Sequence, residues 1–140
     1  MKLVLDSNVF ISSFFWGGKP QEVFERVITG FDTSYITDEI VHEISTVMGG
    51  GKFNVNSNEV NDYINIIEKY STKIVSTGTS KSISRDADDD KILQCGFDGG
   101  VDYIITGDKD LLVLQEYGKI KIVTSSAYLK IVRAQQAHNE

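Results

Sequence analysis

The sequence predicts an α/β domain with a mostly parallel central sheet flanked by helices. Short β-branched apolar runs, typical of buried strands, alternate with longer segments in which apolar residues recur at helical spacing. Strands separated by helices are joined by right-handed crossovers, which leave the strands parallel. The chain has 140 residues, of which 41% are hydrophobic, so it has the size and the apolar content of one domain.

Four apolar runs are predicted as strands: LVL at 3–5, KIV at 73–75, YIIT at 103–106 and IKIV at 120–123. Three apolar stripes predict helices, and their members are Val23, Phe24, Val27 and Ile28; Ile40, Val41, Ile44, Val47 and Met48; and Val60, Tyr63, Ile64 and Ile67. Pro20 lies near the start of the first helix, and Thr37 or Asp38 can cap the second. The glycines at 49–51 predict the end of that second helix, since no Lys-Ser/Thr pair follows them as a phosphate-binding loop requires.

Composition bounds the class of protein. No apolar run has the length of a membrane span, and a single cysteine excludes an internal disulfide, so we expect a soluble cytoplasmic protein. We expect one domain over residues 1–133 and a polar, frayed tail over 134–140.

The net charge of −6 has the wrong sign for binding nucleic acid by bulk electrostatics. Much of the negative charge is local, because eight acids lie between positions 86 and 110: Asp86, Asp88, Asp89, Asp90, Asp98, Asp102, Asp108 and Asp110. Bound divalent cations would invert the field of such a cluster.

Two predicted strands each end in an acid. Asp6 directly follows the LVL run, and Asp108 follows the YIIT run with Asp110 two residues further on. Either acid alone is more simply explained as a turn or helix-capping residue. Two coincident cases favour a shared site, because open parallel sheets bind ligands at the carboxyl ends of their strands.

The segment RDADDDKIL places four aspartates at the start of a helix whose apolar side would include Ile92 and Leu93. One or two acids suit a helix N-terminus, but four repel one another unless a cation offsets their charge. Asp90 is the best candidate to point inward. Glu43 and Glu39 share a face of the second predicted helix, where the pattern alone favours solvated side chains.

These donors are hard oxygens and neither histidine lies in a metal motif, so the composition favours Mg²⁺ or Mn²⁺ over zinc. Such ions hold and activate a water and stabilise a leaving oxygen, which is the chemistry of phosphodiester hydrolysis. One-ion and two-ion sites both remain open.

The segments LDSNVFISSFFWGG, EIVHEI, DADDDKIL and YIITGDKDLL resemble, in order, the four acidic motifs of PIN-domain proteins. The resemblance spans nearly the whole chain and is nearest to the toxin components of bacterial and archaeal toxin-antitoxin systems related to VapC. It implies metal-site acids at Asp6, Glu43, Asp90 and Asp108. Auxiliary acids are implied at Asp110 and at one of Asp86, Asp88 or Asp89, and polar contacts are implied from Ser7, Asn8 and Thr106.

The resemblance also implies a function: metal-dependent cleavage of RNA, inhibition by a cognate antitoxin that inserts a peptide into the acidic cleft, and homodimerisation. Ser7 stands where the family usually has Thr, which keeps the hydroxyl, and the long DADDD run leaves the choice between Asp89 and Asp90 open. RNA phosphates would be met by basic residues that flank the acids, namely Arg85, Lys91 and Lys109. Neutralisation of neighbouring aspartates is an equally good interpretation of these cations.

Two other classes compete. A receiver-type phosphoacceptor domain also gathers acids and Mg²⁺ at strand ends, but its acid pair lies near the N-terminus, whereas here the densest acidic group lies in the second half. The other competing hypothesis is a metal-binding or antitoxin-binding module without useful turnover. His42 is predicted at the surface, Cys95 as a packed side chain, and the aromatic run at 14–16 as core or interface rather than a base-stacking platform.

Overall fold

A computed structural model describes residues 1–76 and 87–139, without the side chains of residues 87–89 and 139. The strands are β1 (Lys2–Leu5), β2 (Thr33–Ile36), β3 (Ser71–Lys73), β4 (Tyr103–Ile105), β5 (Glu116–Tyr117) and β6 (Ile120–Val123). The helices are α1 (Ser7–Trp16), α2 (Gly18–Ile28), α3 (Asp38–Met48), α4 (Ser57–Tyr70), α5 (Ala87–Gly99), α6 (Lys109–Leu112) and α7 (Ser125–Asn139).

The strands form one sheet in the order β3-β2-β1-β4-β6-β5, with only β5 antiparallel to its neighbour among the described strands. The predicted α/β class with a mostly parallel sheet is therefore confirmed. The chain builds outward from β1 through β2 to β3 and then crosses to the other side of β1 as β4. This reversal opens a crevice at the carboxyl ends of β1 and β4, which are paired through Leu5 and Ile105.

Three strand predictions match β1, β4 and β6 closely. The fourth, KIV at 73–75, begins at the last residue of β3 and extends beyond it. Strand β3 ends at Lys73, because only the Ile74 N–H continues the pairing, 2.8 Å from the Ile36 carbonyl oxygen, and the Val75 side chain is 87% exposed. Strands β2 and β5 were not predicted. Each is short, and the polar residues of TSYI in β2 weaken the apolar run that marks a buried strand.

Most members of the three predicted stripes are buried by α2, α3 and α4, whereas Ile28 and Val47 are exposed. Ile40, Ile44 and Met48 are fully enclosed in the core, and the Thr37 hydroxyl caps α3 by accepting from the Ile40 N–H. Helix α3 ends before Gly49, as predicted from the glycine triplet. Each of the three helices thus buries one apolar face in the core.

Helices α1, α6 and α7 were not predicted from the sequence. Helix α1 was not predicted, because the six apolar residues of SNVFISSFFW come in two groups of three that surround the helix and form no stripe. The polar tail predicted to fray is instead the last part of α7, which continues to Asn139 with exposed side chains from 133 to 138. Within the described ranges, no helix combines the length and the apolar character that crossing a bilayer requires.

The aromatic run at the end of α1 packs partly against the protein, as expected. Phe15 stacks on Phe53 with ring centroids 4.5 Å apart, and Phe14 lies 4.9 Å from Tyr63. Tyr63 donates a hydrogen bond of 2.7 Å to the Phe10 carbonyl, which anchors α4 to α1. Trp16 remains 69% exposed at the edge of this group.

Candidate active site

Asp6 lies at the carboxyl end of β1, at the crevice where the sheet reverses its order. Its backbone N–H donates to the Ile105 carbonyl 2.9 Å away, so the residue is fixed beside the end of β4. It is also the N-cap residue of α1, and only 6% of it is exposed. The sequence prediction placed this residue correctly.

Thr106 joins the ends of the two strands. Its hydroxyl donates a hydrogen bond of 2.7 Å to Asp6 Oδ2 and accepts one of 3.0 Å from the Asp108 backbone N–H. Asp108 in turn caps α6, since its Oδ1 accepts from the Asp110 N–H at 2.8 Å. The first and last predicted acids are therefore connected through one buried hydroxyl.

Glu43 reaches the same region from α3. Its Oε2 accepts a hydrogen bond of 2.6 Å from the Ser7 hydroxyl, directly after Asp6, and lies 3.1 Å from Lys91 Nζ. Ser7 is 2% exposed, so this contact is largely removed from water. The structure thus brings Glu43, for which the helical pattern favoured a solvated role, to the first acid.

The electrostatics of Asp6 reflect this convergence. Burial is the largest cause that raises the pKa of the Asp6 carboxyl, and the carboxylates of Glu43 and Asp108 raise it further. The hydrogen bond from Thr106 acts in the opposite direction because it stabilises the ionised form. Three of the predicted acids therefore lie within electrostatic reach of one another.

For the remaining acids, the structure gives the position in the fold. Asp90 lies half-buried in the first turn of α5, one residue before Lys91, and α5 packs against β1 and α3. Asp110 is exposed in the first turn of α6. The side chains of Asp88 and Asp89 lie outside the described part of the chain, as do Asp86 and Arg85 entirely.

Lys91 is the residue whose role the sequence left undecided. The sequence allowed it to meet phosphates or to neutralise neighbouring aspartates, and the structure adds an ion pair with Glu43, from which it is separated by 48 positions. Its side chain is only 15% exposed. Its position beside the acids drew attention to Lys91 in the sequence. Its contact with Glu43 is visible only in the tertiary structure, because it depends on the packing of α3 against α5.

The predicted surface and core residues agree with the structure. His42 and Glu39 are exposed on α3, whereas Cys95 is fully buried in α5. Burial raises the pKa of the Cys95 thiol to about 12, which leaves the thiolate nearly absent at neutral pH. Asn8 and Lys109, predicted to contact substrate, are exposed beside Asp6 and Asp108.

A metal is implied by the acids but is not defined by their geometry. Within the described residues, no group of three acidic, histidine or cysteine side chains is arranged to hold an ion. The donor chemistry nevertheless fits a hard cation, because buried Asp6 faces two further carboxylates and Glu43 already attracts an ammonium group. The four-acid ligand set stays a prediction.

The fold and the site define an α/β domain with an acidic crevice at the point where the strand order of its sheet reverses. A family model of the PIN domain matches residues 2–110, and the chain belongs to the PIN-domain family. The receiver-type alternative is therefore set aside.

One relative in sequence and one solved structure of similar fold extend this comparison. The chain is 29% identical over 134 residues to uncharacterized protein MJ1680 of Methanocaldococcus jannaschii. The aligned region covers 94% of this chain and 81% of that protein. The fold of the present chain is similar to that of a chain in the structure described as "Crystal structure of VapBC2 from Rickettsia felis bound to a DNA fragment from their promoter". That similarity has a TM-score of 0.63 at 10% identity and covers 87% of this chain and 97% of the other.

Proposed function

We propose that the protein is an endoribonuclease that hydrolyses RNA phosphodiester bonds with Mg²⁺ or Mn²⁺ held by Asp6, Glu43, Asp90 and Asp108. The observation that carries the proposal is the Thr106 hydroxyl, which holds Asp6 and positions Asp108 at the crevice where an α/β sheet binds its ligands. A capping role alone would not account for Glu43 on a third element beside the same carboxylate.

A divalent cation bound by these carboxylates would lower the pKa of a coordinated water and stabilise negative charge on the leaving oxygen. The side chains of the protein have separate tasks. Thr106 keeps the Asp6 carboxylate oriented and lowers its pKa, so the ionised, ligand-competent form is favoured against the burial that opposes it. Ser7 orients Glu43, and Asp110 and Asp89 are proposed as auxiliary acids.

Basic and polar groups at the rim would bind the RNA backbone. Lys109 and Asn8 are exposed beside the two acids, and Lys109 forms no carboxylate ion pair in the described part of the chain. They are proposed to contact phosphates, as are the Ser7 and Thr106 hydroxyls when substrate is bound. The overall charge of −6 makes these local contacts and the bound cation necessary for RNA to approach.

The proposal extends to a biological role as the toxin of a toxin-antitoxin pair in the cytoplasm. It is supported by the resemblance of the four acidic segments to VapC-related toxins and by the similarity in fold to a chain of VapBC2. A cognate antitoxin would inhibit by inserting a peptide segment into the acidic crevice, and the toxin would form a homodimer.

The catalytic claim is tested with wild-type protein, Asp6→Asn and the matched control Asp62→Asn, which removes one charge from the exposed face of α4. Single-stranded RNA is incubated with Mg²⁺, Mn²⁺ or EDTA, and cleavage is followed on gels. We expect metal-dependent cleavage by wild type and Asp62→Asn, and none by Asp6→Asn. Equal residual cleavage by all three proteins would contradict the proposal and favour a binding module without turnover.

Loss of folding would not explain inactivity of Asp6→Asn. Burial and two carboxylates oppose ionisation of Asp6, so the neutral isostere relieves that cost and the free energy of unfolding should hold or rise. Circular dichroism during urea unfolding measures this. For the toxin role, induced expression should arrest growth and a neighbouring small gene should restore it; unchanged growth on induction would leave a nuclease without that role.

A further inference from the structure

A small pocket opens beside the acidic crevice and has an opposite chemical character. It has a volume of about 210 Å³, and its polar lining residues are Asn8, Ser12, Thr106, Thr124, Ser125 and Ser126. None of these side chains is charged, and most of the polar ones are hydroxyls. Because Thr106 also hydrogen-bonds Asp6, the pocket and the acidic site share one wall.

One side of the pocket is the N-terminus of α7, which follows β6 directly. The Thr124 hydroxyl accepts from the Ala127 N–H at 3.1 Å, and the Thr124 carbonyl accepts from the Tyr128 N–H at 2.9 Å. The N–H groups of Ser125 and Ser126 precede the first helical hydrogen bond and therefore have no helical acceptor. Together with the dipole of a long helix they form an anion-binding end.

Ser125 supplies an independent sign of a ligand. Only 9% of Ser125 is exposed, and no hydrogen bond to its hydroxyl is found within the described residues. Every fully enclosed side-chain nitrogen and oxygen in that part of the chain has a partner, so the Ser125 hydroxyl must reach solvent, and the pocket is the cavity that Ser125 lines. Ser125 is thus a nearly buried residue whose hydroxyl faces the pocket without a protein partner and can donate a hydrogen bond to a bound acceptor.

We propose that this pocket binds a phosphate of the RNA strand next to the phosphodiester that is cleaved. The inference rests on the proposed ribonuclease function and adds a substrate-binding site formed by Ser125 and Ser126. One lysine of the acidic site, Lys91, is already paired with a carboxylate, that of Glu43. Hydroxyl and backbone N–H groups can bind a phosphate without pairing with the acids.

The test places a carboxylate in the pocket with Ser126→Asp. Ser126 is exposed at the start of α7, where an acidic residue favours the helix dipole, so the variant should fold at least as well as wild type. The matched control is Ser57→Asp, the same exchange in the first turn of α4, where Ser57 is exposed and does not line the pocket. Both variants carry the same net charge.

Binding is measured separately from cleavage so that the two proposals can fail separately. Both exchanges are made in the Asp6→Asn protein, and anisotropy of a fluorescein-labelled short single-stranded RNA gives the dissociation constant. We expect Ser126→Asp to weaken binding about tenfold or more, since it removes hydrogen bonds to a charged phosphate and adds repulsion, and Ser57→Asp to leave it within about twofold.

Equal affinities of the two variants for RNA would overturn the pocket proposal, even if wild type cleaves RNA. Absence of cleavage by wild type together with selective weakening by Ser126→Asp would instead overturn the ribonuclease proposal and keep the site. A second measurement uses inorganic phosphate alone. The amide resonances of Ser125 and Ser126 should shift on titration in wild type, and unchanged resonances there would also count against the pocket.

Discussion

Removal of the Thr106 hydroxyl tests the central contact of the acidic site. Thr106→Val keeps the shape of a side chain that is 1% exposed, so no cavity is created, but Asp6 Oδ2 loses a hydrogen bond of 2.7 Å. Since 94% of Asp6 is removed from water, solvent cannot fully replace that donor. The Asp108 N–H loses its acceptor as well, although water can reach that partly exposed group.

The magnitude follows from these two bonds. A hydrogen bond to a charged group contributes about 1.5–3 kcal/mol and a neutral one about 0.5–1.5 kcal/mol, so we expect the free energy of unfolding to fall by about 2–4 kcal/mol at neutral pH. The pKa of Asp6 should rise still further, because the hydroxyl is the main group that lowers it.

The destabilisation should depend on pH with a definite sign. Asp6 has a folded-state pKa above its ordinary value, so its ionisation opposes folding as pH rises through that pKa. Without the hydroxyl this penalty grows, and it is largest when Asp6 is fully ionised. The difference between variant and wild type should therefore be greatest near neutrality and shrink as pH falls through the raised pKa of Asp6.

The assay is urea unfolding followed by circular dichroism in EDTA, which removes divalent ions that would alter the charge on Asp6. The matched control is Thr29→Val, which removes an exposed hydroxyl that donates a hydrogen bond of 2.8 Å to the Glu25 carbonyl. This exchange should change the free energy of unfolding by less than about 0.5 kcal/mol. Equal losses for the two variants, or a Thr106→Val deficit that widens on acidification, would refute the reasoning.

Three further predictions concern the rest of the fold. Asp32→Asn should cost about 3 kcal/mol in denaturant unfolding, because the fully buried carboxylate pairs with Arg26 at 2.8 Å, and RNA cleavage by the folded variant should be unchanged; a folded but inactive variant would contradict this. Cys95 should resist a thiol reagent in the native protein and react once urea unfolds it, since burial raises its pKa to about 12; rapid native labelling would be the contrary result. Gly96→Ala would place a methyl group 2.9 Å from Ile104 Cδ1 and should cost about 1–3 kcal/mol; a double-mutant cycle with Ile104→Val should then show favourable coupling rather than additivity.

Part of the site was predictable from local pattern. Asp6 and Asp108 each follow a buried apolar run, and parallel strands bring such ends to one edge of a sheet. The helical stripes predicted the buried sides of α2, α3 and α4 because each is a periodicity within one element. Helix α1 escaped prediction for the same reason: both its apolar and its small polar residues are buried, including Ser7 and Ser13, so no periodic contrast remained.

Glu43 shows the limit of local pattern. Its neighbours on α3 predict only a helix with a polar face, and the family resemblance alone raised it to a ligand. Its contacts with Ser7 and Lys91 span 36 and 48 positions, so they depend on how α3 and α5 are packed beside β1. Strand order was equally undetermined, because no local feature states that β4 pairs with β1 rather than with β3.

The sequence by itself determined the class of fold, the sides of the helices that are buried and the two acids at strand ends, because each depends on the chemistry and spacing of residues that are close in the chain. Only the tertiary structure decided that one hydroxyl, Thr106, serves both acids, that Lys91 neutralises Glu43, and that the start of α7 forms a pocket of neutral donors beside them. The physical reason is that hydrogen bonding and desolvation are set by groups that approach in space. The separation of two groups along the chain does not indicate whether they meet in space, because that depends on the crossover connections of the sheet.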